Sequence, residues 1–206
     1  MHSHNHHCFA IVPAAGKSQR MGEPKLLLPW GSDPNRPTVI DHVLSAWTTT
    51  RVAEVVVVVR RDDEALRRAC ERWPVTCHLV DAPRDMKESV QSGLRYLDKK
   101  HSPNEHARCF VAPADLPTLS SQVIEQLIDQ VVPSTEIVMP QFGDQPGHPT
   151  LLPWPLTREI FRLGENEGVN AVVARHSKKY VVFPASMTIT DIDTPEEYRR
   201  ARKQSQ

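Results

Sequence analysis

The chain has 206 residues, 39% of them hydrophobic, and 25 lysines and arginines balance 25 aspartates and glutamates to a formal net charge of zero. That length supports one large domain with a proper hydrophobic core, and a neutral balance speaks against the broad basic footprint of a nucleic-acid binder. The apolar run at residues 55–59 stops at Arg60 and Arg61, too short to span a bilayer, and the N-terminus lacks the three regions of a signal peptide. No membrane partner and a cytoplasmic location are therefore expected.

In chain order, His2, His4, His6 and His7 form a histidine-rich tip that could catch a metal ion or simply fray, and residues 1–7 are expected to be disordered ahead of one domain at 8–206. Residues 8–14 read as a buried strand running into a glycine-bearing loop. Residues 38–49 have helical spacing, with Ile40, Val43, Leu44 and Trp47 on one face. The valine run at 54–59 is a strand of the kind buried on both faces in a parallel sheet. A helix at 62–73 starts on acidic residues, as the helix dipole favours. A strand at 76–80 follows, then a helix at 85–97 that carries Met86, Val90, Gly93, Leu94 and Leu97 at helical spacing. Residues 108–112 form a strand, 120–131 a helix and 136–139 a strand. Beyond Pro140 the pattern loosens into a proline-rich segment, two short helices, a strand near 180–183 and a last helix from Pro195. The alternation predicts a three-layer α/β/α, Rossmann-like fold around a mostly parallel sheet.

The four cysteines, Cys8, Cys70, Cys77 and Cys109, form no CxxC pair and no zinc spacing, so they read as structural thiols.

In such a sheet ligands bind beyond the carboxyl ends of the strands, near the reversal of strand order. The loop after the first strand, residues 12–25, contains Ala14-Ala15-Gly16-Lys17-Ser18 and then Arg20 and Lys25. Small residues let a backbone approach phosphate closely, and successive N–H groups can form an anion nest. Arg20 adds a forked donor and Lys25 a compact charge, with Pro24 fixing the backbone before it. Neither GxxxxGK[ST] nor GxGxxG is present. The residues alone also leave open an ordinary basic surface loop. Asp115, in Pro113-Ala114-Asp115-Leu116-Pro117, ends the strand at 108–112, where it could hold Mg2+ against triphosphate oxygens or merely cap the following helix.

The pattern AAGxSxRMGxxK at 14–25, continuing into Leu26-Leu27-Leu28-Pro29, resembles the signature of the MobA-like nucleotidyltransferases, most closely their molybdenum cofactor cytidylyltransferase branch. The resemblance extends from Phe9 to about Tyr198. It implies that Ala14, Ala15, Gly16, Lys17 and Ser18 wrap a nucleoside triphosphate, that Arg20 and Lys25 bind its phosphates, and that Asp115 binds a catalytic Mg2+. Asp191-Ile192-Asp193-Thr194-Pro195-Glu196-Glu197-Tyr198 resembles the family's DIDTPEDY ending; it makes Asp193 the second metal ligand with Asp191 as competitor, while capping of the last helix by Asp193 or Thr194 stays compatible. Asp85 to Leu94 matches the family's MxxSxxxGL helix start and makes Ser89 a base contact; a plain amphipathic helix, with Gly93 admitting a close neighbour, is the alternative. Gly147-His148-Pro149 resembles the cytidylyltransferase branch, with Gly147 and His148 on the acceptor side and Asp144 and Gln145 on the same rim.

The implied reaction is in-line attack by an acceptor phosphate on the α-phosphate, releasing pyrophosphate, with no covalent nucleophile. CTP is expected over GTP because Ala14-Ala15-Gly16 stands where a GTP-specific branch has AGG. The resemblance implies a phosphorylated acceptor such as molybdopterin, with sugar phosphates, polyol phosphates and other phosphorylated metabolites also open, and a molybdoenzyme or another cofactor-pathway protein as a candidate partner. Pro13 stands where the branch has leucine, which is closer to the methylerythritol phosphate cytidylyltransferases, yet their acidic-arginine motif is replaced by PxDxP. A guanylyltransferase, a sugar phosphate cytidylyltransferase, and a non-catalytic chaperone or regulator of cofactor insertion remain rivals. The insert at 32–37 is expected to alter the approach to the site.

Overall fold

The apolar run CFAIVP forms strand β1, Cys8–Pro13, buried at every position. The structure is a computed structural model that describes residues 7–31, 37–130, 132–133, 135–187, 189 and 191–204. His2, His4, His6 and the insert residues 32–36 lie outside the described residues. Strand β2, Glu54–Arg60, lies parallel to β1 on one side and β4, Arg108–Val111, parallel on the other. Strand β3, Thr76–Val80, extends the parallel set beyond β2. Between these strands run helices α1, Val39–Thr48; α2, Glu64–Cys70; and α3, Met86–His101, while α4, Ser121–Ile128, follows β4. The chain goes outward from β1 through β2 to β3, then returns to place β4 on the other flank of β1. The switch in direction therefore falls between β1 and β4, where this class of sheet opens a crevice.

The far half differs from the sequence reading in detail. Strand β5, Ile137–Phe142, runs on through Pro140, whose carbonyl still accepts the Gly147 N–H at 2.9 Å. A two-residue strand β6, Gln145–Pro146, turns back on it at Gly143, where φ is +59° and glycine carries no steric penalty. Residues Thr150–Pro153, given no element by periodicity, form β7, antiparallel to β4 and inserted between β4 and β5. Four residues bounded by prolines are too short to show a period, but Leu151 and Leu152 are fully buried there. Short helices α5, Trp154–Thr157, and α6, Val169–Arg175, lead to β8, Lys178–Phe183, parallel to β5, and the chain closes with α7, Pro195–Gln204. Among the described residues the sheet has eight strands.

Helix ends moved for local reasons. The Asp63 carboxylate accepts the Leu66 N–H at 3.1 Å and so starts α2 later than expected. Helix α3 continues past Leu97, the last apolar contact, because Lys99, Lys100 and His101 suit the negative end of its dipole and Ser102 closes it in the left-handed region.

Apolar clusters cover both faces of the sheet. On one face α3 lies close on β1: a Cβ at Gly93 would come within 3.0 Å of Ile11 Cγ2. The four thiols are free, three of them buried, and burial pushes Cys8 up to about 11. Among the described residues, no helix is long and apolar enough to cross a membrane.

Candidate active site

Beyond the carboxyl ends of β1 and β4 lies a cleft of about 710 Å3, within the usual size of a small-molecule site. The loop after β1 forms one wall. Its Ala14 N–H stays on the sheet, donating to the Val58 carbonyl at 2.9 Å, so Ala14 contributes shape and not an anion donor. A Cβ on Gly16 would meet nothing within 4 Å, so its bareness leaves room in the cleft itself. Ser18 adopts a left-handed φ of +49°, its carbonyl accepts the N–H groups of Met21 and Gly22, and its Oγ accepts the Lys25 N–H at 3.4 Å. That brace aims Lys25 back across the cleft.

The floor comes from the loop after β4. The Ala114 N–H donates to the Pro13 carbonyl at 3.3 Å and the Ile192 N–H to the Asp115 carbonyl at 3.2 Å, which locks three distant segments together. At their junction the Lys25 ammonium donates to Asp115 Oδ2 and, at 2.8 Å, to Asp193 Oδ1. The Arg20 guanidinium takes the other oxygen, Asp193 Oδ2, at 2.8 Å. Burial acts to lower the Lys25 pKa, but the two carboxylates outweigh it and hold the ammonium above its ordinary range. Burial likewise acts to raise Asp193, and its bonds to Lys25 and the charge of Arg20 reverse that.

Asp115 keeps its second oxygen, Oδ1, buried and without a partner. An orphaned carboxylate oxygen in a cleft wall, beside a second carboxylate, fits a hard divalent cation. Among the described residues no group of three His, Cys, Asp or Glu side chains could hold a metal, so protein alone supplies at most part of a coordination shell.

The C-terminal motif divides its labour. Thr194 and Glu197 cap α7 reciprocally: the Glu197 N–H donates to Thr194 Oγ1 at 3.3 Å, and Glu197 Oε2 accepts the N–H groups of Asp193 and Thr194 at 2.9 Å each. The Asp193 side chain is therefore spared from capping and faces the cations. Asp191 is exposed and outside the cleft lining.

The remaining wall is the start of α3. Ser89 lines the cleft, 2% exposed, with its hydroxyl on the Asp85 carbonyl at 3.4 Å. Sequence reasoning missed Ala82, Pro83, Arg84 and Asp85 beside it, although a loop at the carboxyl end of a strand was the available signal. Met86, read as part of the apolar face of α3, is 41% exposed and lines the cleft instead. Gly147 and His148 are outside the cleft lining. Gly147 packs on the Phe142 ring, where a Cβ would lie 2.8 Å from Cε2. His148 has its Nδ1 buried without a partner, and burial lowers its pKa although the charges of Asp191 and Asp115 act to raise it. It lies within electrostatic reach of Asp191 and Asp115, and burial outweighs their pull. Asp144 and Gln145 are exposed at the β5–β6 turn.

The sequence profile of the MobA-like NTP transferase domain matches residues 10–180. The molybdenum cofactor cytidylyltransferase of Escherichia coli strain K12 is 24% identical over 194 residues, covering 94% of each chain. A probable molybdenum cofactor guanylyltransferase of Bacillus mycoides strain KBAB4 is 25% identical over 214 residues, covering 95% of this chain and 96% of its own. A crystal structure of a manganese complex of a protein from Mycobacterium tuberculosis H37Rv shares the fold with a TM-score of 0.77, at 23% identity over 96% of this chain and 98% of its own.

Proposed function

The chain belongs to the MobA-like NTP transferase family, and from that membership we propose that it moves CMP from CTP onto a phosphorylated small molecule, with release of pyrophosphate and with Mg2+ as cofactor. The observation that carries this reading is the meeting of Lys25, Arg20, Asp115 and Asp193 at one cleft beyond the switch point of the sheet. Residues 14–18 bind the triphosphate, whose oxygens take Arg20 and Lys25 as donors. Asp115 and Asp193 hold the metal, which when bound draws off the negative charge that builds on the triphosphate. An acceptor phosphate oxygen attacks the α-phosphorus in line, the α–β bridging P–O bond breaks, and pyrophosphate departs with that electron pair. Arg20 and Lys25 stabilise the charge on the equatorial and leaving oxygens. A phosphate monoester is already nucleophilic, so no general base is required.

Cytidine is favoured by Ala14-Ala15-Gly16, by Ser89 in the cleft wall, and by the Gly147-His148-Pro149 turn. Molybdopterin is the acceptor we favour, on the names of the relatives, and His148 with Gly147 the acceptor side. A cytoplasmic location, with its supply of nucleoside triphosphate, fits this reading. Guanylyl transfer is the second reading, because the Bacillus relative covers 95% of this chain and the E. coli one 94%, at nearly equal identity.

The test is pyrophosphate release from each of the four nucleoside triphosphates with Mg2+ against a panel of phosphorylated acceptors that includes molybdopterin. CTP is expected to exceed the others by at least about tenfold, the size of one good base contact. GTP in first place would move the protein to the guanylyl branch. Tight nucleotide binding with no turnover on any acceptor would make it a non-catalytic binder.

A further inference from the structure

We propose that Lys25 is a built-in counter-ion: in the empty cleft it occupies Asp115 and Asp193, and it yields them to a divalent cation only as it moves onto triphosphate oxygens, so that metal and nucleotide bind together and the metal alone binds poorly. The inference rests on the triphosphate-transfer reading above and concerns how that site is kept before substrate arrives.

The ammonium bonds both carboxylates at once, and its side chain is only 16% exposed. A cation that far out of water needs anionic partners, so Lys25 cannot leave the aspartates until another anion reaches it. Arg20 already holds the remaining oxygen of Asp193, which leaves Asp115 Oδ1 as the one carboxylate oxygen of the pair without a partner. The cleft lining carries four basic side chains, Lys17, Arg20, Lys25 and Arg84, against the three acidic ones Asp85, Asp115 and Asp193, so before substrate arrives it presents no net attraction to a free metal ion. Among the described residues there is no third metal-binding side chain in reach, so a metal here depends on water and phosphate for most of its shell.

A triphosphate changes each of these conditions. It brings more negative charge than one divalent cation neutralises, supplies metal ligands of its own, and offers Lys25 and Arg20 new partners. The Lys25 backbone stays anchored through its N–H on Ser18 Oγ, while its four-carbon stem lets the ammonium swing. Linkage then requires reciprocity: the factor by which triphosphate raises metal affinity is the factor by which metal raises triphosphate affinity.

The test is Mn2+ binding to the purified full chain, followed by the electron paramagnetic resonance signal of free Mn2+, first without nucleotide. Lys25→Met is expected to bind Mn2+ at least tenfold more tightly than wild type, and Lys25→Arg, which keeps the charge, to match wild type. Adding Asp115→Asn to Lys25→Met should abolish the gain. A Lys25→Met affinity equal to or below that of wild type, or a gain that survives Asp115→Asn, overturns the counter-ion. If circular dichroism shows Lys25→Met unfolded, Lys25→Gln takes its place with the same expectation. In a second arm, α,β-methylene CTP should tighten Mn2+ binding to wild type by a factor at least tenfold larger than to Lys25→Met, where its phosphates still add ligands but no lysine has to be displaced; equal tightening in both overturns the exchange. Failure of the triphosphate-transfer reading would look different, as absence of analogue binding and of pyrophosphate release by wild type, and leaves the nucleotide-free comparison intact.

Discussion

Arg20 and Glu54 show two ways a charged side chain is used in this fold. The Arg20 side chain is 73% exposed although paired with Asp193, and an exposed pair of that kind contributes little to stability. Arg20→Ala is therefore expected to weaken CTP binding by about 10- to 100-fold while unfolding free energy shifts by less than about 0.5 kcal/mol; a large stability loss with unchanged binding would make the residue structural. Glu54 lies at the opposite end of β2. Burial acts to raise its pKa, but hydrogen bonds from Lys100 at 2.8 Å, Thr76 at 2.6 Å, His101 and Tyr96 bring it down to about 2. Its folded value is depressed below the ordinary 4.5, so its contribution is complete above about pH 4.5 and fades as pH falls towards about 2. Thermal melts of wild type and Glu54→Gln should differ at pH 6 and converge by pH 2; a constant gap would remove the linkage. Arg20 and Lys25 were singled out in a loop pattern of twelve residues and Asp115 in the separate stretch Pro113 to Pro117, and all three line one cleft. The partner of Asp193 was not legible, because 168 residues separate it from Lys25 and only the folded sheet brings them together.

Helix α3 is the element that joins the core to the site. It packs on the sheet through Val90, Leu94 and Leu97, while its first turn presents Met86 and Ser89 to the cleft. Gly93 sets the depth at which it sits on β1. Gly93→Ala would force Cβ against Ile11 and is expected to cost about 1–3 kcal/mol of stability and to raise the KM for CTP, since the first turn shifts with the helix. Unchanged stability in a denaturant melt would show that the contact can relax. The periodicity of α1 and α3 and the valine run of β2 identified those elements because each buries a regular stripe. Strand β7 went unseen because Thr150–Pro153 has prolines at its borders and only two apolar side chains, and Pro140 concealed the second half of β5. At the C-terminus the motif placed Asp193 ahead of Asp191 but left capping of the last helix open for it. Glu197 takes over that capping and leaves Asp193 to the cations.

At the scale of the molecule, the switch between β1 and β4 puts the first loop, the floor and the C-terminal motif around one cleft, and the Gly147-His148-Pro149 turn leads into β7, antiparallel to β4. We propose His148, whose buried Nδ1 has no partner, for the acceptor side. His148→Ala is expected to raise the acceptor KM by about tenfold with the CTP KM nearly unchanged, and the opposite split would transfer the residue to the nucleotide. The α/β architecture was readable from alternation alone, whereas the identity of the cleft's far wall required strand order, which no local pattern encodes. The reaction itself is tested most directly by assaying wild type and Asp115→Asn with CTP, Mg2+ and molybdopterin, measuring pyrophosphate and the cytidylylated product together. Wild type is expected to yield the two in equal amounts, and Asp115→Asn to lose at least about 100-fold in rate, the scale of removing one charge-stabilising group from an active site. An Asp115→Asn rate equal to that of wild type would contradict the placement of the reaction at this cleft.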